Sequence, residues 1–496
     1  MSPKTKRIET AMTPEEYAAC DGVALAGLIA RAEVSVAEVT AAARAAIDRV
    51  NPTVRAIVDL YEDRFRNPEE GLPDGPLRGV PFLIKDVGDH FGGRRIEHGS
   101  RLCVGYVVPE DDYYATMVKG TGVNLVGRSA TPEFSMALCA DTVLYGATSN
   151  PWKLNYSTSG SSGGAAAAVA SGMVPIAHAS DLGGSTRGPA AWCGTVGLHP
   201  SRGRVSAGPR QSEAGDGMTQ SSVVTRTVRD TAVMLDALSV PQPGDPFIIR
   251  RPDRPYVDFL AGIQGKLRIG WWAGPLIEDA PVDPEVAAAV ERTARVLEDM
   301  GHHVEESRPD FDLAALDRVL VDLWYFRFDQ YLDSLGERSG RKVGPDTVER
   351  ASLMFYEWAK ERSVDAYLQA LEDLNTYRRR IGAWFTRFDI WLTPTCAQAA
   401  QPNGIYGMNV DVPPHEFLQR EQRPCQFMVW ANVCGAPALS LPLAQHSNGL
   451  PIGIQMGAKP GFEEHLIGLG AELEQAMPWK DRLPPLHVSR IGLEQS

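Results

Sequence analysis

Several features that would settle the function at once are missing from this sequence. Its seven cysteines (Cys20, Cys103, Cys139, Cys193, Cys396, Cys425 and Cys434) are scattered, odd in number and free of any C-x-x-C pair. That excludes a disulfide framework and points to thiols in a reducing compartment. No stretch approaches the ~18 consecutive apolar residues of a membrane-crossing helix. The N-terminal MSPKTKRIETAMTPEEY lacks the apolar core of a secretion signal, so a cytoplasmic protein is expected. Positive charge is scarce as well: 49 Lys and Arg stand against 62 Asp and Glu, a net charge of −13. The basic runs Lys4–Arg7 and Arg378–Arg380 are too short to make a nucleic-acid face. Neither a nucleic acid nor a membrane is therefore an expected partner.

What is present is an ordinary globular composition, 44% hydrophobic and 22% charged over 496 residues. The length alone suggests about three domains, but no linker interrupts the chain, and large α/β enzymes build one continuous sheet over such a length. Capping boxes open helices at Thr13 and Ser35, and Asn51-Pro52 is expected to end the second of them. Arg55–Tyr61 reads as a strand, and Leu77–Asp86 as a buried apolar run that stops at a lysine. Pro284–Gly301 followed by His302-His303-Val304 gives helix, glycine stop and strand. These alternations predict α/β layers around a large mixed, mostly parallel sheet sandwiched by helices. Residues 311–385 differ: they carry long helical patterns rich in aromatic residues, an insertion against the sheet.

One stretch, Ser157–Gly188, is unusually rich in Gly, Ser and Ala. A Gly160–Gly164 turn opens an Ala-rich helix, a buried strand follows, and a second turn, Asp181–Ser185, places a serine at its tip. Turns of this kind expose backbone N–H groups and can cradle an anion. A serine beside such a nest supplies what acyl transfer needs, a nucleophile and a place for the oxyanion. Glycine turns also serve purely structural roles, and phosphate binding is their other functional use. Neither G-x-G-x-x-G nor G-x-x-x-x-G-K-[ST] occurs in this stretch. Gly160–Gly164 formally matches the G-x-S-x-G nucleophile elbow, with Ser162 as nucleophile, but the preceding NPWKLNYSTS is polar and turn-like where that motif requires a hydrophobic strand.

A nucleophilic serine needs a base, and none of the ten histidines sits in an informative motif. His178 lies mid-strand and reads as a core residue; His302 and His303 merely begin a strand. Lys85, at the end of an apolar run, is the other candidate. Burial lowers the pKa of a lysine and makes it a base. From the sequence it is equally readable as the ion-pair partner of Asp86.

Taken together these residues resemble the amidase signature family. The blocks are Gly79–Asp86, Ser159–Gly164, Ser180–Ala190, Gly194–Ser206, Asn432–Pro442 and Gly449–Gln455, which span nearly the whole chain. The resemblance implies a Ser-Ser-Lys triad: Ser185 as nucleophile, Ser161 as bridging serine, often held in a cis peptide, and Lys85 as base. It implies an oxyanion hole from the amides of Leu182, Gly183, Gly184 and Ser185, with Asp181 and Arg187 supporting the turn. Mild departures (Ser159 for Gly, Ser180 for Thr, Ala179 for Gly, His199 for Lys) remove no catalytic atom. On this reading residues 1–496 form one amidase domain: N-terminal helices over 1–60, a signature core over about 77–210, a helical pocket region over about 311–385 and the rest of the sheet over 386–480. No metal and no cofactor are implied. Finer similarity runs to the branch containing 6-aminohexanoate cyclic-dimer hydrolases, aryl acylamidases and urethanase-type amidases. The expected substrate is thus a bulky or aryl amide, a cyclic or linear oligoamide or a carbamate, held against Trp324, Phe328 and Tyr356 by a monomer or homodimer. The alternatives are a glutaminase-type subunit of a tRNA amidotransferase and a non-catalytic scaffold on the same fold.

Overall fold

The computed structural model describes residues 12–491; the basic run Lys4–Arg7 lies outside them. Both predicted capping boxes form, at Thr13 and Ser35. The helix from Ser35 runs to Val54 and ends at Arg55 in a left-handed conformation, three residues past the expected stop. Proline tolerates this because it costs one hydrogen bond near a terminus, not in a helix centre.

Eleven strands build one sheet: β1 (Ile57–Leu60), β2 (Pro81–Lys85), β3 (Asn124–Ser129), β6 (Ile176–Asp181), β7 (Val196–His199), β8 (Gln220–Thr225), β9 (Arg268–Trp271), β10 (His303–Glu306), β11 (Ile390–Pro394), β12 (Ala438–Gln445) and β13 (Pro451–Ala458). Two short strands, β4 (Asp141–Thr142) and β5 (Gly146–Ala147), form a ladder of their own. The order in the sheet is β1-β3-β2-β6-β8-β7-β12-β13-β11-β9-β10. Parallel pairing occurs where helices cross over, in β3-β2-β6 and in β11-β9-β10. The centre, from β6 through β11, and the edge pair β1-β3 are antiparallel. There only β12-β13 is a hairpin; β7 and β8 are joined by a long loop and the other pairs bring together strands that are not consecutive in the chain, which helix–strand alternation does not reveal.

β2, β6 and β11 are buried on every residue, the pattern of strands covered on both faces. The helix Gly163–Ala170 is buried along its full length. Only glycine, alanine and one valine occupy it, which lets it lie close to β6 and to the helix Arg187–Cys193. The aromatic region is helical as expected but broken into Leu313–Trp324, Phe328–Ser339, Arg350–Ala359 and Val364–Trp384. The first break falls at Arg327, which is left-handed, and the last at Ser363, whose hydroxyl caps the following helix. Tyr325 stacks on Phe355 at 3.8 Å between ring centroids, and Phe417 packs edge-on against Phe355. This binds the insertion to the helix Pro414–Cys425. All seven cysteines are unpaired. No helix among the described residues is long and apolar enough to cross a membrane, and none of their His, Cys, Asp and Glu side chains cluster in a metal-holding group.

Candidate active site

The site forms where the parallel strands β2 and β6 end together. Phe82 pairs with Ile176 and Leu83 with Ala177, so Lys85 comes level with the end of β6 that carries Ser180 and Asp181. Lys85 is 1% exposed. Its Nζ lies 2.7 Å from Ser161 Oγ, 3.0 Å from Ser180 Oγ and 3.4 Å from the Ser180 carbonyl. Burial drives its pKa down to about 7, against a smaller upward pull from Asp181 and Asp89. The Lys85–Asp86 ion pair that the sequence left open does not form. Asp86 turns instead to Arg128 at 2.5 Å and accepts the Glu97 and Gly99 amides. The amine therefore has hydroxyl and carbonyl partners but no carboxylate, which is the environment of a neutral base.

Behind Lys85, His178 is buried as expected but is more than filler. The Lys85 amide donates to its Nδ1 at 3.2 Å, and its Nε2 lies 3.0 Å from Asp89 Oδ2. An accepting Nδ1 places the ring proton on Nε2, facing the carboxylate. Ser180 and His178, both in contact with the lysine, had no role in the sequence reading. A hydroxyl at Ser180 where the signature has threonine is the one signal that pointed there.

The Gly160–Ser161 peptide is cis. Ser162, its neighbour, is fully buried; its hydroxyl donates to the Ser180 carbonyl and accepts the Ser180 amide, each at 3.4 Å. Ser162 is thus a brace, and the nucleophile-elbow reading falls. Its own amide donates to the Ser185 carbonyl at 3.1 Å, which ties the two glycine turns together.

The turn Asp181–Ser185 is held by one carboxylate. Asp181 accepts the amides of Gly184 (2.7 Å), Thr186 (3.2 Å) and Arg187 (3.4 Å) and the Nε and Nη2 groups on one edge of the Arg187 guanidinium at 2.9 Å each. Burial would raise its pKa, but the Arg187 guanidinium together with His199 and Asn432 outweighs this and holds the carboxyl far below the usual range. Arg187 in turn donates to Met428 O, Gln455 Oε1 and Asn432 Oδ1, so none of this buried charge is left open. One consequence corrects the sequence reading: the Gly184 amide is committed to Asp181 and is not a free oxyanion donor. The amides of Leu182, Gly183 and Ser185 make no hydrogen bond among the described residues.

Ser185 opens onto two cavities. An outer cleft of about 440 Å³ contains Ser161, Ser180 and Ser185 together, walled by Phe134, Trp324, Phe326, Phe328 and Tyr331. An inner pocket of about 80 Å³ runs from Ser185 past Gly183 to Leu418 and Met428. Trp324 borders both, and a Cβ on Gly183 would stand 2.7 Å from its ring. Phe328 lines the outer cleft as expected. Tyr356 does not: successive helix residues point about 100° apart, Phe355 takes the inward direction, and the Tyr356 hydroxyl donates outward to Asp333 at 2.9 Å. The contribution of the helix Pro414–Cys425 (Leu418, Glu421, Gln422 and Cys425) to the inner pocket was not legible, because its pattern is that of any amphipathic helix.

Comparison with known proteins agrees with this geometry. The amidase family model matches residues 35–467. A 6-aminohexanoate-cyclic-dimer hydrolase of Paenarthrobacter ureafaciens is 34% identical over 483 residues, covering 94% of this chain and 96% of that one. A solved structure of 6-aminohexanoate cyclic dimer hydrolase complexed with substrate superposes with a TM-score of 0.90 at 32% identity, over 95% of this chain and 99% of that one. A bacterial aryl acylamidase of the amidase signature family superposes with a TM-score of 0.84 at 25% identity, over 95% and 98% of the two chains.

Proposed function

Since this chain belongs to the amidase signature family and is an amide hydrolase acting on C–N bonds, we propose that it works through Ser185, Ser161 and Lys85 and an acyl-enzyme. Neutral Lys85 takes the Ser161 hydroxyl proton while Ser161 takes that of Ser185. The Ser185 oxygen then bonds to the substrate carbonyl carbon. The negative charge moves to the carbonyl oxygen and rests on the free amides of Leu182, Gly183 and Ser185, where one such donor is worth roughly 3 kcal/mol. Collapse breaks the C–N bond, and the proton held on Lys85 returns through Ser161 to the departing nitrogen. Water, deprotonated by the same relay, then releases the acid and restores the Ser185 hydroxyl.

The observation that carries this reading is the 2.7 Å contact between a buried amine with no carboxylate partner and Ser161, in the cleft that also holds Ser185. For substrate, the reading extends to bulky or aryl amides, cyclic and linear oligoamides and carbamates. The wide, aromatic outer cleft supports it, as do the names of the relatives. The test is a panel of anilides, oligoamides, carbamates and small aliphatic amides read by product mass, together with labelling by a fluorophosphonate. Ser185→Ala and Lys85→Ala are expected to lower turnover by several orders of magnitude in folded protein, and Ser185→Ala to abolish labelling. Near-normal turnover in either variant, or activity confined to small aliphatic amides, contradicts the corresponding half of the proposal.

A further inference from the structure

The inner pocket contains one residue that its other walls do not explain. Met136, Leu138, Leu418, Cys425 and Met428 make it largely apolar, yet Gln422 lines it too. Gln422 is 3% exposed, its Oε1 is closed off from solvent without a hydrogen-bond partner, and its side chain makes no hydrogen bond among the described residues. The fold does satisfy other buried glutamines nearby. Gln426, four positions on, accepts the Leu276 and Ile277 amides and donates to the Ala280 and Arg423 carbonyls. Gln455 accepts from Arg187 and donates to Phe427 O and Thr393 Oγ1. Even Glu421, next to Gln422, is engaged by the Leu138 amide and by Arg420. An unmatched buried amide is costly, and such groups are rare in native structures; leucine would fill the same space without that cost. A second idle group borders the same pocket: Trp324 Nε1 is buried and has no partner either.

The direction of the substrate follows from the relay, so what comes next rests on the proposed roles of Ser185 and Ser161. The departing nitrogen must receive its proton from Ser161, and Ser161 lines the outer cleft but not the inner pocket. The amine half therefore lies in the outer cleft and the acyl half enters the inner pocket. We infer that the inner pocket recognises a second amide-type group on the acyl half, its N–H donated to Gln422 and its carbonyl accepting from Trp324, which makes Gln422 a specificity-determining residue for oligoamides over simple alkyl amides. The cavity of about 80 Å³ has room for a short acyl chain, on the order of half a dozen water-sized sites.

The test uses p-nitroanilides of N-acetyl-ω-amino acids with two to five methylenes. Each is paired with an all-carbon isostere, as N-acetyl-β-alanine is with 5-methylhexanoic acid, and kcat/KM is read from nitroaniline release. At one or more spacer lengths the wild-type protein should favour the amide member by tenfold or more. In Gln422→Leu that ratio should fall at least tenfold, and Trp324→Phe, which keeps a ring but loses the donor, should lower it too. Wild-type ratios near one across the series overturn the inference, whether or not Gln422→Leu folds. So does a variant that slows both members of each pair alike, the mark of a merely structural role. Release of nitroaniline from no substrate, with Ser185 unlabelled by fluorophosphonate, overturns the underlying amidase mechanism instead.

Discussion

Lys85→Met separates a lysine that is a neutral base from one that merely fills the end of a strand. The folded pKa of about 7 lies well below the ordinary 10.5. Between those values the unfolded chain holds a proton that the folded chain has released, so stability rises with pH across that window. Burying this amine costs about 4 kcal/mol at pH 7 and about 1 kcal/mol at pH 10, and nothing once both states are neutral. Methionine carries no such cost but leaves the hydroxyls of Ser161 and Ser180 without their nitrogen partner, a loss of about 1–3 kcal/mol each. At a single pH these effects offset one another. The hydroxyl loss does not titrate, however, so the difference in unfolding free energy between variant and wild type should shift by about 3 kcal/mol between pH 7 and pH 10, in favour of the wild type as pH rises. Equilibrium urea unfolding of both proteins at four or five pH values reads this directly, because every other titrating group cancels in the subtraction. A difference that stays constant within about 1 kcal/mol would mean that Lys85 titrates near its usual value, is charged at neutral pH and cannot be the base.

In its proposed role the same lysine should also set the rate profile. kcat/KM should climb with pH through an apparent pKa near 7 as the amine loses its proton, and a profile flat down to pH 5 contradicts that. Asp181→Asn leaves the buried Arg187 without its counter-charge and weakens the anchor of the Ser185 turn; a loss of about 3–5 kcal/mol in chemical denaturation is expected. Gly160→Ala would set a Cβ 2.0 Å from the Ala137 carbonyl and 2.4 Å from that of Cys139. Since both neighbours are backbone and cannot swing away, soluble yield and thermal stability should fall sharply, and an active protein of normal Tm would contradict this packing.

How much of this was written in the sequence depends on the length over which each signal is written. Capping boxes at Thr13 and Ser35, the apolar run into Lys85 and the Gly/Ser turns are local, and each appears in the structure as read. The antiparallel centre of the sheet was not legible because β7, β8, β12 and β13 meet across gaps of up to more than two hundred residues. The helical patterns of 311–385 were right in type, but the breaks at Arg327 and before Ser363 rest on a left-handed residue and a cap inside continuous amphipathic runs.

The site divides in the same way, and the division has a chemical reason. Ser161, Ser185 and Lys85, the residues proposed for the relay, stand in glycine turns and at the end of an apolar run, signals written over a few neighbouring residues. Whether Lys85 pairs with Asp86 turns on where Arg128 lies, forty-two positions from Asp86, and no local pattern encodes that. The Gly184 amide shows the converse. The resemblance implied it as an oxyanion donor, yet a turn sharp enough to present Ser185 needs an internal anchor, and Asp181 takes that amide to supply it. Tyr356 and Gln422 complete the contrast. One was selected for being aromatic and lies outside the pocket; the other was passed over as an ordinary helix residue and lines it. Which residues of the helix Pro414–Cys425 line the inner pocket is thus set by tertiary packing such as that of Phe417 against Phe355, not by any motif.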